Sequence, residues 1–293
     1  MEHNKRRKSF TAYFYLTPGM FFIFTFIIIP ILALFALSFF EWDIFGGGQI
    51  TFTGLDNYAR LVKDSSFYNA LKNTFLYVLM VVPPGVAGGL FLAVLIDRRK
   101  RGQNFYRTCI FLPFIISLAA TGIIWLWLYD YQGGILNHYL IQLGFDKIDW
   151  LGNPKLALGS VAGVTLWRRI GYNMIIFFAG LQLIPDQLYE AAKLDGAGAW
   201  AQFKYIIWPN ILPTASFVII INLIFAFRDF SQIYIMTRGG PLGKTTTLVY
   251  YIYETAFNEA NISYAAAVST VLFLLVITAT WLKIKYYSPE EKV

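Results

Sequence analysis

Two short polar stripes lie in stretches of this chain that are otherwise apolar. Thr165, Arg169 and Tyr172 recur at i, i+4 and i+7, which is one face of a helix, and Asn173 adjoins them. Asn222, Ala226 and Asp229 repeat that spacing further along. Arg and Asp offer charged hydrogen bonds to hydroxyl groups, Asn offers a donor and an acceptor, and Tyr stacks on an apolar ring face. Such groups recognise a hydroxyl-rich solute, and they make no bond by themselves. A structural reading stands beside this one. Buried ions are commonly paired, so Arg169 or Arg228 with Asp229 would hold two helices together. Arg168 and Arg169 are adjacent and cannot share one helix face, so one of them is expected to be structural.

Other chemistries lack their residues. His3 and His138 are far apart and Cys109 is the only cysteine, so zinc and haem spacings are absent. No Gly-x-x-x-x-Gly-Lys-Ser/Thr loop occurs, so the chain is not expected to bind or hydrolyse ATP. A membrane glycosyltransferase would need clustered carboxylates or histidines, and none is evident. An ion-coupled secondary transporter, the alternative transport class, needs a coupling carboxylate near the midplane and usually internal repeats. Asp229 is the only acid on offer, placed toward the outer half, and no repeat is visible.

The elements that must hold these residues are membrane helices. Apolar residues make up 57% of the 293 positions and charged residues 14%, against about 25% charged in a soluble domain. That excess of apolar surface needs lipid around it. A spanning helix takes about 20 mostly apolar residues. Six stretches qualify, at about 13–40, 71–96, 108–129, 156–183, 211–230 and 264–283. The first resembles a signal peptide, but its run exceeds an h-region of about 7–15 residues and no cleavage site follows, so it reads as a retained helix. The formal charge of +7 does not point to nucleic acid, because the basic residues cluster beside the spans. Lys5–Lys8, Arg98–Arg101, Arg107, Lys193, Lys204, Lys283, Lys285 and Lys292 fall on one side. That side carries about twice as many cations as the other, which predicts N-in and C-in. Pro30, Pro83-Pro84-Gly85 and Pro113 are expected to interrupt or kink their helices. In the outer loops, short helices are expected, with Asp56 and then Ser65 or Ser66 as N-caps, and again at 245–258.

The loop between the fourth and fifth spans, residues 185–210, carries most information. Asp186 and Glu190 suit the first turns of a helix behind Pro185, and that helix is expected to run to about Leu194. Asp195-Gly196 breaks it. A second helix is expected from Gly198 to Ile207, with Trp200, Phe203 and Ile207 on one side, stopped by Pro209. A helix-turn-helix of this shape can enter a groove on a cytoplasmic partner or rest on the inner leaflet.

Glu190-Ala191-Ala192, then Gly196, Ile206 and Pro209, resembles the EAA loop of ABC importer permeases, with Trp208 where that family usually has leucine. Phe52-Thr53-Gly54-Leu55-Asp56-Asn57-Tyr58, Asp64, Phe67, Asn73-Thr74, Trp167-Arg168, Gly171-Tyr172 and Gly239-Gly240-Pro241 resemble its carbohydrate subclass. Within that subclass the chain is similar to the first membrane subunit of maltose importers. The resemblance implies an all-α integral membrane fold of six helices in one permease domain over 1–293. The helix at 13–40 would be peripheral, the importer core would run from about 70 to 284, and the coupling loop would be cytoplasmic. It implies a non-catalytic half of a pathway in the bacterial or archaeal cytoplasmic membrane, working with a second permease subunit, two ATPase subunits and an extracytoplasmic solute-binding protein. ATP and magnesium would bind to the ATPases. Glu190, Ala191, Ala192, Asp195, Gly196, Phe203, Ile206 and Pro209 would form the ATPase contact. The polar stripes would then line the path of a sugar. Read from the residues, the three arginines within the spans, Arg168, Arg169 and Arg228, against the one acid Asp229 hint at an acidic saccharide or phosphorylated polyol.

Overall fold

The structure is a computed structural model that describes residues 15–43, 48–98 and 102–287. The chain is mostly helical and divides into two compact units, 1–64 with 252–271, and 65–251 with 272–293. Among the described residues, four helices are long and apolar enough to cross a membrane: α1 (Tyr15–Leu37), α3 (Ser65–Asp97), α9 (Ala199–Phe227) and α12 (Ile262–Tyr287), of which Ile262–Lys285 qualifies. Before α3 lie strands β1 (Phe40–Asp43) and β2 (Gln49–Phe52) and helix α2 (Asp56–Lys63). Between α3 and α9 come α4 (Gln103–Ile115), α5 (Leu118–Leu128), α6 (Ile135–Gln142), α7 (Ala157–Leu181) and α8 (Asp186–Leu194). After α9 come α10 (Ser231–Met236) and α11 (Leu248–Tyr253). The helices α4 and α5 bend by 94° and count as a fifth span if taken together.

Four expectations are corrected. First, the first span ends at Leu37 and not at about Phe40, and a short hairpin accompanies the helical fold. Beyond Leu37 the chain turns into an antiparallel hairpin, pairing Phe40 with Phe52 and Trp42 with Ile50. Phe40 and Phe52 meet edge to face at 5.3 Å, the cross-strand aromatic contact that stabilises a short ribbon. Second, the stretch at 108–129 is two helices. Ile116 and Ser117 are extended, and the Ser117 hydroxyl accepts from the Ala120 N–H to start α5 anew. Third, Pro83-Pro84 does not interrupt α3, which runs through both. Fourth, Pro209 does not stop the second loop helix. The chain widens into a π-turn at Phe203–Ile207, where Trp208 N–H donates to Phe203 O five residues back. Proline brings no N–H to that turn, so the wider winding accommodates it and α9 runs on to Phe227. The same device precedes Pro30, where Phe24–Ile28 is π-wound. Asp56 is the first residue of α2 and caps nothing, Leu55 standing before it.

In the first unit, the Asn57 amide donates to Ser38 O and Phe40 O, both at 3.0 Å. The Tyr58 and Ser38 hydroxyls are 2.7 Å apart. At the other end of α2, Asp64 accepts from the Tyr264 hydroxyl at 2.6 Å, with Arg60 over the same ring. These contacts tie α2 both to the hairpin and to the start of α12.

The second unit is built on α7, which packs most extensively against α3 and then α4. Small residues permit it, as they do wherever membrane helices approach closely. A Cβ on Gly89 would lie 2.5 Å from that of Asn173. A Cβ on Gly171 would overlap the Ile110 carbonyl of α4, which is backbone and cannot turn aside. Around these contacts lies a core of Leu90, Ile96, Met174, Phe177, Leu181 and Ile211. A polar lock closes the far end. Asn69 and Asn73 donate to Gly243 O at 2.7 and 2.9 Å, Asn73 also to Thr246 O, and Leu248 N–H donates to Thr74. Hence the Asn73-Thr74 pair and the Gly239–Thr247 turn, 170 residues apart, form one structure.

Gly171→Ala should therefore unseat α4 and lower the thermal midpoint of the detergent-solubilised protein by several degrees. Gly159→Ala, on the same helix with open space where its Cβ would go, should leave the midpoint unchanged. Equal behaviour of the two variants would disprove the close α4–α7 contact.

Candidate functional site

Two helices stop inside the second unit, α4 at Ile115 and α9 at Phe227. Last-turn carbonyls lie outside the regular helical ladder and need other donors away from water; at the end of α9, Phe225 O takes the Arg228 N–H at 3.2 Å in a tightened turn. The adjacent arginines of α7 answer one break each. Arg168 Nη2 donates to Phe114 O at 3.3 Å and its guanidinium lies 5.3 Å from the Phe114 ring centre. Arg169 Nη2 donates to Phe225 O at 3.4 Å, with its guanidinium 5.4 Å from the Phe225 ring. A cation at a helix C-terminus is also favoured by the helix dipole. The angular separation of neighbouring positions, which keeps the pair off one face, is what lets them serve two different helices.

Arg169 is buried, and a buried charge needs a counter-charge. Asp229, just past the end of α9, supplies it at 3.2 Å. The same oxygen accepts from the Tyr77 hydroxyl at 2.7 Å and from Thr165 at 3.4 Å, while the Tyr77 and Thr165 hydroxyls are 2.7 Å apart. Tyr77 of α3 completes the cluster and escaped the sequence reading. Its one signal there is the polar series Asn73, Thr74 and Tyr77 on an apolar helix. One turn along α7 lies a second cluster. Asn173 donates to Asn222 at 3.3 Å and accepts from it at 2.7 Å; its amide also donates to Gly85 O, and that of Asn222 to Val218 O.

The two stripes thus meet in part. Thr165, Arg169 and Asp229 come together, and so do Asn173 and Asn222. Tyr172 turns elsewhere and stacks on Phe114 with ring centres 4.6 Å apart. Ala226 packs with Val78, Val82 and Phe227 in an apolar cluster. Beside the ion pair opens a cavity of about 310 Å³. Phe114, Leu118, Arg168, Arg169, Phe225 and Arg228–Ser231 line it. Buried and without a hydrogen-bond partner there are Arg169 Nη1 and Arg168 Nε.

The loop at 185–210 forms a second candidate site. Helix α8 ends in a Schellman turn. Ala197 N–H donates to Ala192 O at 2.8 Å and Gly196 N–H to Lys193 O at 3.1 Å, with Gly196 at φ +76°. Asp195 stands at the C-cap. Tyr189, Ala192 and Phe203 pack on the core with Ile206, whereas Glu190 and Ala191 are exposed and Leu194 is 90% exposed. Burial raises the pKa of the Tyr189 hydroxyl above its usual range, making it a weaker acid, and the nearby Asp97 carboxylate adds to this. Trp200 and Phe203 stack at 5.6 Å. Pro209 is exposed at the start of the long run of α9.

Comparison with known proteins supplies the context. Residues 85–284 match the family described as binding-protein-dependent transport system inner membrane component. A probable ABC transporter permease of Pyrococcus horikoshii is 34% identical over 94% of this chain and 96% of its own length. The probable ABC transporter permease YurN of Bacillus subtilis is 35% identical over 96% and 97%. The sn-glycerol-3-phosphate transport system permease UgpA of an Escherichia coli strain is 37% identical over 84% and 83%. Among solved structures, a chain of a bacterial alginate ABC transporter in complex with an alginate pentasaccharide-bound periplasmic protein superposes with a TM-score of 0.87 over 99% of this chain and 98% of that one, at 21% identity.

Asp229→Asn should cost about 3–5 kcal/mol, because it leaves Arg169 buried without its counter-ion. Adding Arg169→Gln should recover part of that loss. Thermal unfolding of the three proteins checks it. A double variant no more stable than the single would mean that the charges are not coupled.

Proposed function

The chain belongs to the family of binding-protein-dependent transport system inner-membrane components, the membrane subunits of ABC importers, and from that premise we propose that its cargo is a sugar or a closely related polyhydroxylated solute. Its own share of the task is transport, and the relatives are named as permeases. The cargo rests on two supports. The relative UgpA is named for a phosphorylated polyol, and the structure with a similar fold is titled with an oligosaccharide-loaded periplasmic protein. The polar groups along α7 and α9 are of the kind that bind hydroxyls.

The reading includes six membrane crossings, with α7 counted as one and α4–α5 as another, and both termini inside. It makes the whole chain one permease domain that forms half of a pathway with a second permease subunit. The 185–210 loop then lies in the cytoplasm against one of two ATPase subunits, which bind the ATP and magnesium. The observation that carries the coupling role is the Schellman turn. It fixes α8 with Tyr189 and Ala192 inward and Glu190, Ala191 and Leu194 outward, the arrangement that a partner's cleft requires. Opening of that cleft would move the loop as a rigid body. The secondary-transporter alternative is disfavoured, because Asp229 is committed to Arg169 and is not free to bind and release a coupling ion.

Gly196→Val forces a β-branched residue into the left-handed region and should unmake the turn. Glu190→Ala removes only an exposed carboxylate. Both variants should reach the membrane in normal amounts and lose at least about tenfold of ATP-driven uptake. The ATPase subunit should no longer co-purify stoichiometrically with the Gly196 variant. Normal uptake in both would end the coupling assignment.

A further inference from the structure

The cavity beside the ion pair carries more charge than structure requires. Its wall holds Arg168, Arg169 and Arg228 against one carboxylate, Asp229, for a net charge of +2. Asp229 is saturated on the inner side by Arg169, Tyr77 and Thr165. Arg168 and Arg169 each place one guanidinium nitrogen on a helix-end carbonyl and retain a buried nitrogen with no partner. Arg228 sits in the break between α9 and α10, exposed and lining the cavity. Leu118, the first residue of the eleven-residue helix α5, also lines it, so the positive end of that helix's dipole adds to the field.

We propose that this cavity, at the breaks of α4–α5 and α9–α10, is a subsite for the anionic group of the transported solute, a carboxylate or a phosphoryl ester on a hydroxylated carbon frame. The proposal rests on the permease reading above and narrows its cargo from polyhydroxylated to polyhydroxylated and negatively charged. Three features carry it. The charge excess would be self-repulsive if left empty of anions, and apolar walls focus it. The exposed guanidinium of Arg228 lines the cavity, and guanidinium groups take oxyanions in charge-assisted hydrogen bonds. Phe114, Phe225 and Phe230 also line the cavity and give it apolar wall to set beside the carbon frame of such a solute. A volume of about 310 Å³ suits a monosaccharide-sized group, not a whole chain of them. Arg228 is the residue whose charge the fold can spare, because Arg168 and Arg169 also cap helices.

The test uses the full detergent-solubilised complex of permease and ATPase subunits without binding protein, so that the binding protein's own selectivity does not intervene. Thermal stabilisation would be titrated with glucuronate, glucose 6-phosphate, glucose and sodium chloride at matched ionic strength. Glucuronate or glucose 6-phosphate should raise the midpoint saturably, glucose and chloride should not, and the stronger of the two anions identifies the head group. Arg228→Gln should raise the half-saturating concentration at least about tenfold, and Arg228→Lys should restore part of it. Protection by glucose equal to that by the anions would overturn the proposal, as would failure of both anions to protect or an unchanged half-saturation in Arg228→Gln. Uptake that still depends on Gly196 in that event would leave the permease reading standing and remove only the anionic subsite.

Discussion

A helix that stops away from water must find donors for its last carbonyls, and in this chain two helices do so beside one another. Arg168 and Arg169 supply those donors from α7. Their burial then demands an acid, and Asp229 is placed to provide it because α9 ends two residues before. The bend between α4 and α5, the end of α9 and the seating of Tyr77 on Thr165 and Asp229 follow from a single electrostatic centre. Without Arg168 the Phe114 carbonyl would lose its side-chain donor, while Phe225 O would keep the Arg228 N–H and lose only the second bond from Arg169. Without the breaks, helices running through would fill the space the cavity now occupies.

The same helix α9 joins this centre to the exposed loop. From Ala199 to Phe227 it is continuous over 29 residues, about 43 Å at the helical rise. Pro209 would ordinarily interrupt such a rod. The π-turn ahead of it keeps the winding unbroken, so a displacement imposed at Trp200 and Phe203 is carried along one element to Arg228 and Asp229. Glycines set the other half of the mechanics. Gly89 and Gly171 bring α3 and α4 against α7 at backbone distance, and such contacts slide or separate as units. The loop and the cavity are thus joined by one continuous helix beside closely packed neighbours.

What could be read in the sequence depended on how local its cause was. Thr165, Arg169 and Asn173 share a region of α7 because helix geometry determines it, whereas Asp229 reaches Arg169 from just beyond the end of α9. The Gly196 turn was legible for the same reason, since one residue's tolerance of positive φ decides it. The four corrected features arise from compensation by something distant or subtle. Pro209 reads as a stop unless the wider turn before it is known. Ser117 reads as part of an apolar run unless it is seen to start a new helix. The hairpin at Phe40–Phe52 lies in an aromatic stretch whose alternation is four residues long on each side, too short to outweigh the preceding helix. Tyr77 carries no charge, and its role depends on Asp229, 152 positions away.

The adjacent arginines show most directly how the two readings of the polar stripes, structural and functional, fit together. Neighbouring helix positions point about 100° apart, which from the sequence argues that only one of the two can face a pathway. The structure keeps the angular separation, and both side chains make a structural hydrogen bond and line the same cavity. Each arginine turns one nitrogen to a carbonyl near a helix end and keeps another buried without a hydrogen-bond partner, while both side chains contribute to the cavity wall. A guanidinium carries five N–H donors in a rigid fork, so capping a helix uses only part of its capacity. Lysine would exhaust a compact charge on the same carbonyl and present less of a surface to a solute. The choice of arginine at both positions is therefore what allows a site of structural necessity to remain a site of recognition.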